Sequence, residues 1–260
     1  MRIAMQNLRE KKQRGERITA LTAYAYPTAR LLDEAGIDVI LVGDSLGMVV
    51  LGYQDTTEVT LAEMLHHTRA VARGVKRALL VADLPIHTYD TPAEALANAR
   101  QLMAAGAQAV KLEGGVVRAS QIEAIVDAGI PLMGHIGMLP QSVREEGGYK
   151  LKGRTPAEAE VLLRDAQAVE AAGAFAMVLE IVAAETARQI TEAVTVPTIG
   201  IGSGQSCDGE ILVTHDLIGM FPWFVPKFVK PEADVSAEIR KAAAAFIERT
   251  TAQSRLTAKV

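Results

Sequence analysis

A helical stretch that closes on Ala-Gly and runs straight into a short apolar segment recurs along the chain, at Ala35-Gly36, Ala105-Gly106, Ala128-Gly129 and Ala172-Gly173. The segments behind these pairs are IDVILVGD, AQAVKLEG, IPLMGHIG and AFAMVLEI, and a further unit leads from Gly74 into ALLVADLP. Glycine takes the left-handed conformation that stops a helix. Short runs rich in Val, Ile and Leu read as strands of a parallel sheet, buried on both faces. Helix starts are marked too. Thr91-Pro92-Ala93-Glu94 and Thr155-Pro156-Ala157-Glu158 each put Thr at the cap, Pro at the first helical position and Glu at the third. Thr60 with Glu63 and Ser120 with Glu123 repeat the spacing without Pro.

Strands are expected over 18–23, 38–43, 78–83, 108–113, 130–135, 175–180, 197–201 and 209–214, most of them separated by helical patterns. Eight strands alternating with helices in about 250 residues is the arithmetic of an α/β fold of the (β/α)8 TIM barrel type. A doubly wound open sheet is the competing arrangement, but no glycine fingerprint for a dinucleotide follows the first strand. From Asp234 to about Ser254 the pattern is one closing helix, and no linker interrupts the chain, so a single domain over 1–260 is expected.

Composition removes several classes of function. With 49% hydrophobic residues the chain is no disordered segment, and a formal net charge of −4 supplies no basic stripe for nucleic acid or an anionic membrane. No apolar run reaches the roughly 18–20 residues that span a bilayer. The segment MRIAMQNLREKKQRGER is too charged for a signal peptide. Cys207 is the single cysteine, so no internal disulfide forms and a cytoplasmic location is expected.

In a barrel the chemistry sits where the strands end. The second run ends in Gly43-Asp44-Ser45, the third in Asp83, the fourth in Lys111-Leu112-Glu113, the fifth in His135 and the sixth in Glu180. Four carboxylates in one mouth repel one another unless a cation neutralises them. Oxygen donors without cysteine favour a hard divalent ion, Mg2+ first. Asp44 and Asp83 are the expected nearest ligands, with Glu113 direct or through water. A 2-oxo acid would chelate such an ion, which polarises the carbonyl and stabilises an enolate. Glu180, set in an apolar run, is the candidate base. Lys111 could pair with the substrate carboxylate; a Schiff-base role is the lesser reading, since a metal already does the electrophilic work. His135 either hydrogen-bonds the keto oxygen or packs beneath the site.

The segments GDSLGMVVLGY (43–53), ADLP (82–85), KLEGG (111–115), PLMGHIGMLPQSV (131–143), GGYKLKGR (147–154), AFAMVLE (174–180), IGIGSG (199–204), CDGEILVTHDLIGM (207–220) and PKFVK (226–230) resemble, in order and along nearly the whole chain, the ketopantoate hydroxymethyltransferase family. The resemblance implies a Mg2+-dependent barrel enzyme of the cytoplasm. Its reaction moves a one-carbon unit from 5,10-methylenetetrahydrofolate to 3-methyl-2-oxobutanoate, giving 2-dehydropantoate and tetrahydrofolate. It also implies Asp44, Asp83 and Glu113 as metal positions, Asp44, Ser45, Asp83 and Lys111 as oxo-acid contacts, Glu180 as proton acceptor, and a homo-oligomer, typically a decamer. Two positions depart from the family pattern. The loop ADLPIHTYD carries His87 where Gly or Ser is more usual nearby, and Ser203 stands in place of the more usual Ala and reads as neutral.

Other features admit plainer readings. IGIGSG could hold an anion such as the folate tail or simply pack tightly. His66 and His67 read as surface, and the basic cluster at 9–17 as a solvated face. Cys207 reads as inert. His215 and Asp216 either contact folate or pack. The aromatic run FPWFVPKFV (221–229) reads as core or subunit contact before a pterin-stacking box. A Mg2+-dependent carbon–carbon lyase or mutase acting on an oxo acid in a similar barrel is the second enzyme reading. Those enzymes usually carry a cysteine near the metal. A non-catalytic barrel is the third reading, and it gives no reason to gather four carboxylates.

Overall fold

In the computed structural model, which describes residues 3–257 and side chains as far as residue 252, eight parallel strands close on themselves in chain order. They are β1 (Ile18–Thr22), β2 (Val39–Val42), β3 (Leu79–Asp83), β4 (Ala109–Lys111), β5 (Leu132–Gly137), β6 (Ala176–Glu180), β7 (Thr198–Ile201) and β8 (Gly209–Leu212). Among the described residues seven helices precede β6, namely α1 (Met5–Arg14), α2 (Tyr26–Ala35), α3 (Leu61–Ala72), α4 (Pro92–Ala104), α5 (Ala119–Asp127), a short α6 (Val143–Glu146) and α7 (Pro156–Ala171), and α8 (Ala184–Ala193) leads into β7. The (β/α)8 TIM barrel expected from the repeat is the fold that forms.

The repeat works as its chemistry requires. Gly36, Gly106, Gly129 and Gly173 all have positive φ, from 79° to 112°, which a side chain would resist. The side chains of Thr60, Thr91 and Thr155 each accept the N–H of the glutamate three residues on. The reciprocal arm forms at Thr60, whose N–H meets Glu63 Oε2 at 2.7 Å; at the third helix of this kind, Glu158 takes the N–H of Arg154 instead. The cap expected at Ser120 does not form. A 3-10 turn over Val116–Arg118 runs straight into α5, so Ser120 lies inside the helix and bonds Gln121.

Apolar contacts fill two layers. Ile40, Val42, Leu80, Val110, Leu132 and Leu179 face the helices. Val39, Leu41, Leu79, Val81, Met133 and Val178 fill the barrel. The basic cluster is a solvated face only in part: Arg9, Arg14 and Arg17 are exposed, but Lys11 and Lys12 are partly buried. Leu8 of α1 is fully buried with the barrel-filling residues, which is worth about 1.5–3 kcal/mol. Lys11 reaches Asp38 at 2.6 Å and Lys12 reaches Asp208 at 2.9 Å. Both acids immediately precede strands, so α1 closes the N-terminal end and leaves the other end for chemistry.

The chain divides into two compact units, one through Leu212 and one from Val213. The second holds α9 (Thr214–Leu217) and α10 (Val235–Thr257), the latter being the helix expected near the C-terminus. Residues 1–2 and 258–260 of the expected domain lie outside the described residues. The aromatic run is not core: Trp223 is 79% exposed and Phe224 54%. No helix among the described residues is long and apolar enough to cross a membrane.

Candidate active site

Alternate residues of a barrel strand point to the axis. Leu79 and Val81, Ala109, Met133, and Ala176 with Val178 belong to the interior cluster. One step further up the same columns stand Asp83, Lys111, His135 and Glu180. Thus strand periodicity fills the lower barrel with apolar groups and crowns it with polar ones. Glu113 continues the Lys111 column, and Asp44 and Ser45 follow directly on β2. The fifth strand runs two residues beyond the expected end, so His135 lies within it. An apolar run was expected to stop at its first polar residue, but an inward-facing histidine keeps its place in the hydrogen-bonded ladder.

These side chains meet. Lys111 Nζ lies 2.5 Å from Asp83 Oδ2 and 3.8 Å from Glu113 Oε1. The imidazole of His135 stands between two acids, Nδ1 at 3.2 Å from Glu113 Oε1 and Nε2 at 3.3 Å from Glu180 Oε2. The Glu180 side chain, 14% exposed against 1–2% for Asp83 and Glu113, is the member nearest to solvent. Ser45 Oγ shares a 2.8 Å hydrogen bond with the Tyr24 hydroxyl.

Burial, and after it the charges of Asp83 and Glu113, pushes the Asp44 carboxyl well above the usual range. Burial also raises that of Asp83, against the pull of Lys111. Burial works the same way on Glu113, but His135, Lys111 and the Gln141 N–H outweigh it and hold the carboxyl low. Burial would discharge His135, yet Glu113 lifts it to about 9. Burial likewise opposes charge on Lys111, and the surrounding acids overcome it. With all four acids ionised the set faces only two cationic side chains, a shortfall that one divalent cation would make up.

Sequence reasoning passed over Gln141 and Tyr89. Gln141 Nε2 donates to Asp44 Oδ2 at 2.8 Å and to the Leu84 carbonyl at 3.0 Å, and its main-chain N–H donates to Glu113 Oε2 at 3.1 Å. The Tyr89 hydroxyl donates to Gln141 Oε1. Gln141 thus braces two of the acids, Asp44 by its side chain and Glu113 by its main chain. The only local signal for Gln141 is the turn that Pro140 opens just past a strand end.

Metal fit can be judged from the donors. Asp44, Asp83 and Glu113 offer hard oxygens, and buried Asp83 Oδ1 has no hydrogen-bond partner, as befits an atom free to bind a cation. The group suits Mg2+ in chemistry and in charge. Among the described residues no three His, Cys, Asp or Glu side chains already surround one metal-sized point.

The remaining candidates separate. His66 is exposed, but His67 Nδ1 meets the Tyr24 carbonyl at 2.6 Å and ties α3 to the segment after β1. Cys207 is buried, which raises its thiol pKa, and it precedes β8 at the closed end. The exposed His87 lies 3.5 Å from Asp90 at φ +63. Burial pushes Asp216 up to about 6 and His215 down. Ser203 is not neutral: its buried hydroxyl makes hydrogen bonds that alanine could not.

Comparison with known proteins agrees with this geometry. The family described as ketopantoate hydroxymethyltransferase matches residues 2–254. Similar proteins named 3-methyl-2-oxobutanoate hydroxymethyltransferase include one from Dehalococcoides mccartyi, 54% identical over 95% of this chain and 88% of its own. Another from Carboxydothermus hydrogenoformans is 52% identical over 97% and 92%, and one from Enterococcus faecalis is 53% identical over 92% and 88%. Solved structures share the fold at low identity. A phosphoenolpyruvate phosphomutase from Streptomyces platensis superposes with TM-score 0.65 at 17% identity, over 96% of this chain and 88% of that one. A 2,3-dimethylmalate lyase does so with TM-score 0.60 at 18%, over 96% and 89%. By sequence along nearly its whole length, the chain belongs to the ketopantoate hydroxymethyltransferase family.

Proposed function

We propose that the chain transfers a hydroxymethyl group from 5,10-methylenetetrahydrofolate to 3-methyl-2-oxobutanoate in the cytoplasm, giving 2-dehydropantoate and tetrahydrofolate, and that Glu180 is the proton acceptor. The observation that carries this reading is the row Glu113–His135–Glu180, in which a buried histidine holds the one carboxylate that faces the open mouth. Mg2+, held by Asp44 and Asp83 with Glu113 direct or through water, would polarise the oxo acid and stabilise its enolate. Glu180 takes the proton from C3 of the oxo acid; a water adds to the donor's one-carbon unit and breaks its bonds to nitrogen, releasing tetrahydrofolate and a formaldehyde-level carbon, which C3 attacks and which takes up a proton to become the hydroxymethyl group. His135 keeps the Glu180 carboxylate aimed from below. Lys111, charged and fixed on Asp83, provides positive charge for the oxo-acid carboxylate, and Ser45, held by Tyr24, lies beside Asp44 to contact the same substrate. The walls around Asp83 and Glu113 keep water from the developing charge.

A homo-oligomer, a decamer by resemblance, belongs to this reading; exposed Trp223, Phe224 and Phe228 would suit a subunit contact. The lyase or mutase alternative draws on fold alone, and its usual cysteine is missing from the mouth, since Cys207 lies at the closed end. The test is direct. The chain with both substrates and Mg2+ should yield 2-dehydropantoate by NMR and stop when a chelator is added. Failure to form it, or formation untouched by the chelator, would count against the reading.

A further inference from the structure

Immediately after Glu180 the backbone does what a β-branched residue avoids. Ile181 sits at φ +48, the left-handed region that is an outlier for such a side chain and that persists only where its surroundings over-determine it. Those surroundings can be named atom by atom. The Glu180 carbonyl accepts from Met138 N–H at 2.8 Å, the Ile181 N–H donates to the Ile201 carbonyl at 2.8 Å, and the Ile181 carbonyl accepts from Lys152 N–H at 2.9 Å. Ala183 N–H donates to the Lys152 carbonyl at 2.8 Å. All four are main-chain bonds that no ordinary substitution removes.

Two polar groups of this stretch, the Leu179 carbonyl and the Val182 N–H, are served by one side-chain atom. Ser203 Oγ donates to Leu179 O at 2.7 Å and accepts from Val182 N–H at 3.0 Å, with Ile201 O a longer neighbour at 3.2 Å. Ser203 is buried, so water cannot take over either bond. The hydroxyl therefore bridges the chain from the residue before Glu180 to the residue after Ile181.

We propose that Ser203 is a positioning residue: by clasping the backbone on both sides of Glu180-Ile181, its hydroxyl holds the strained turn that directs the Glu180 carboxylate to His135 and the barrel mouth. The proposal rests on Glu180 being the proton acceptor. It places a functional role in the loop after β7, on a side chain that touches no substrate, and the role is particular to this chain, since the family more usually has Ala there.

The test measures deuterium exchange at C3 of 3-methyl-2-oxobutanoate, with Mg2+ and without folate, for the unmodified chain, Ser203→Ala, Ser203→Thr and Glu180→Gln. Because small misplacements of a reacting group are costly, Ser203→Ala should exchange at least about tenfold more slowly at saturating substrate. Its KM for the oxo acid should stay within about twofold, and Ser203→Thr should recover most of the rate, since it retains a hydroxyl. A Ser203 that served stability alone would lower the melting midpoint and leave the rate per folded molecule unchanged. Ser203→Ala exchanging at the unmodified rate while Glu180→Gln is silent overturns the positioning role and spares the base. Glu180→Gln exchanging at the unmodified rate overturns the base and the positioning role with it. If Ser203→Ala does not fold, Ser203→Cys, of similar size and with a weakly bonding thiol, decides by the same criterion.

Discussion

Lys111 Nζ lies 2.5 Å from Asp83 Oδ2 on the last paired rung of β3 and β4, with both side chains sealed from solvent. This pair sets the charge balance of the mouth. Lys111→Ala removes the cation and leaves Asp83 buried and unpaired, which costs about 3–5 kcal/mol when a buried pair loses one partner. Chemical denaturation should show that loss. Adding Asp83→Asn should restore part of the stability and none of the transferase activity.

Gln141→Ala should act on the acids and not on the fold at large. It deletes the amide that bridges Asp44, the Leu84 carbonyl and the Tyr89 hydroxyl, leaving buried partners unsatisfied at about 1–3 kcal/mol. With Asp44 no longer braced, Mg2+ binding by calorimetry should weaken. Tyr89→Phe, which removes one bond of the same network, should weaken it less.

Gly137 pairs with Glu180 across β5 and β6, at φ +101, and a Cβ there would come within 2.4 Å of the Glu180 carbonyl oxygen. Gly137→Ala must push back the strand end that carries the base. Melting should show a loss of roughly 1–3 kcal/mol from backbone strain, with turnover falling further than stability explains.

Much of this was legible in the chain because two local rules repeat. Ala-Gly stops and Thr-Pro starts marked several of the units, short apolar runs supplied the remaining strands, and the residues closing those runs included Asp83, Lys111, His135 and Glu180, which the structure sets on inward columns. The bracing could not be read so. Gln141 reaches Asp44 only after residues 97 positions apart are folded together, and nothing local marks such a contact. Ser120 had the right spacing for a cap, but the preceding turn had already started the helix. The cluster around Lys11 and Lys12 read as surface because its acids, Asp38 and Asp208, lie far along the sequence.

Asp33 supplies a pH-dependent tie outside the mouth. Its carboxylate accepts the main-chain N–H groups of Lys76, Arg77 and Ala78 at 3.1, 2.9 and 2.7 Å. Burial raises its pKa, but those three donors outweigh it and hold the group below the ordinary range. A depressed folded-state pKa means that the stabilisation is present above the unfolded pKa and is lost as pH falls through the folded one. Asp33→Asn should therefore lower stability at neutral pH, by about 1–3 kcal/mol for bonds to a buried charge. The gap from the unmodified chain should narrow in acid, as denaturation series at several pH values would show.

The most direct measurement is solvent deuterium uptake at C3 of 3-methyl-2-oxobutanoate by Glu180→Gln, with Mg2+ and oxo-acid binding followed in parallel by calorimetry. Binding close to that of the unmodified chain with no uptake is the expected result. Uptake at the unmodified rate would contradict Glu180 as the group that opens the reaction.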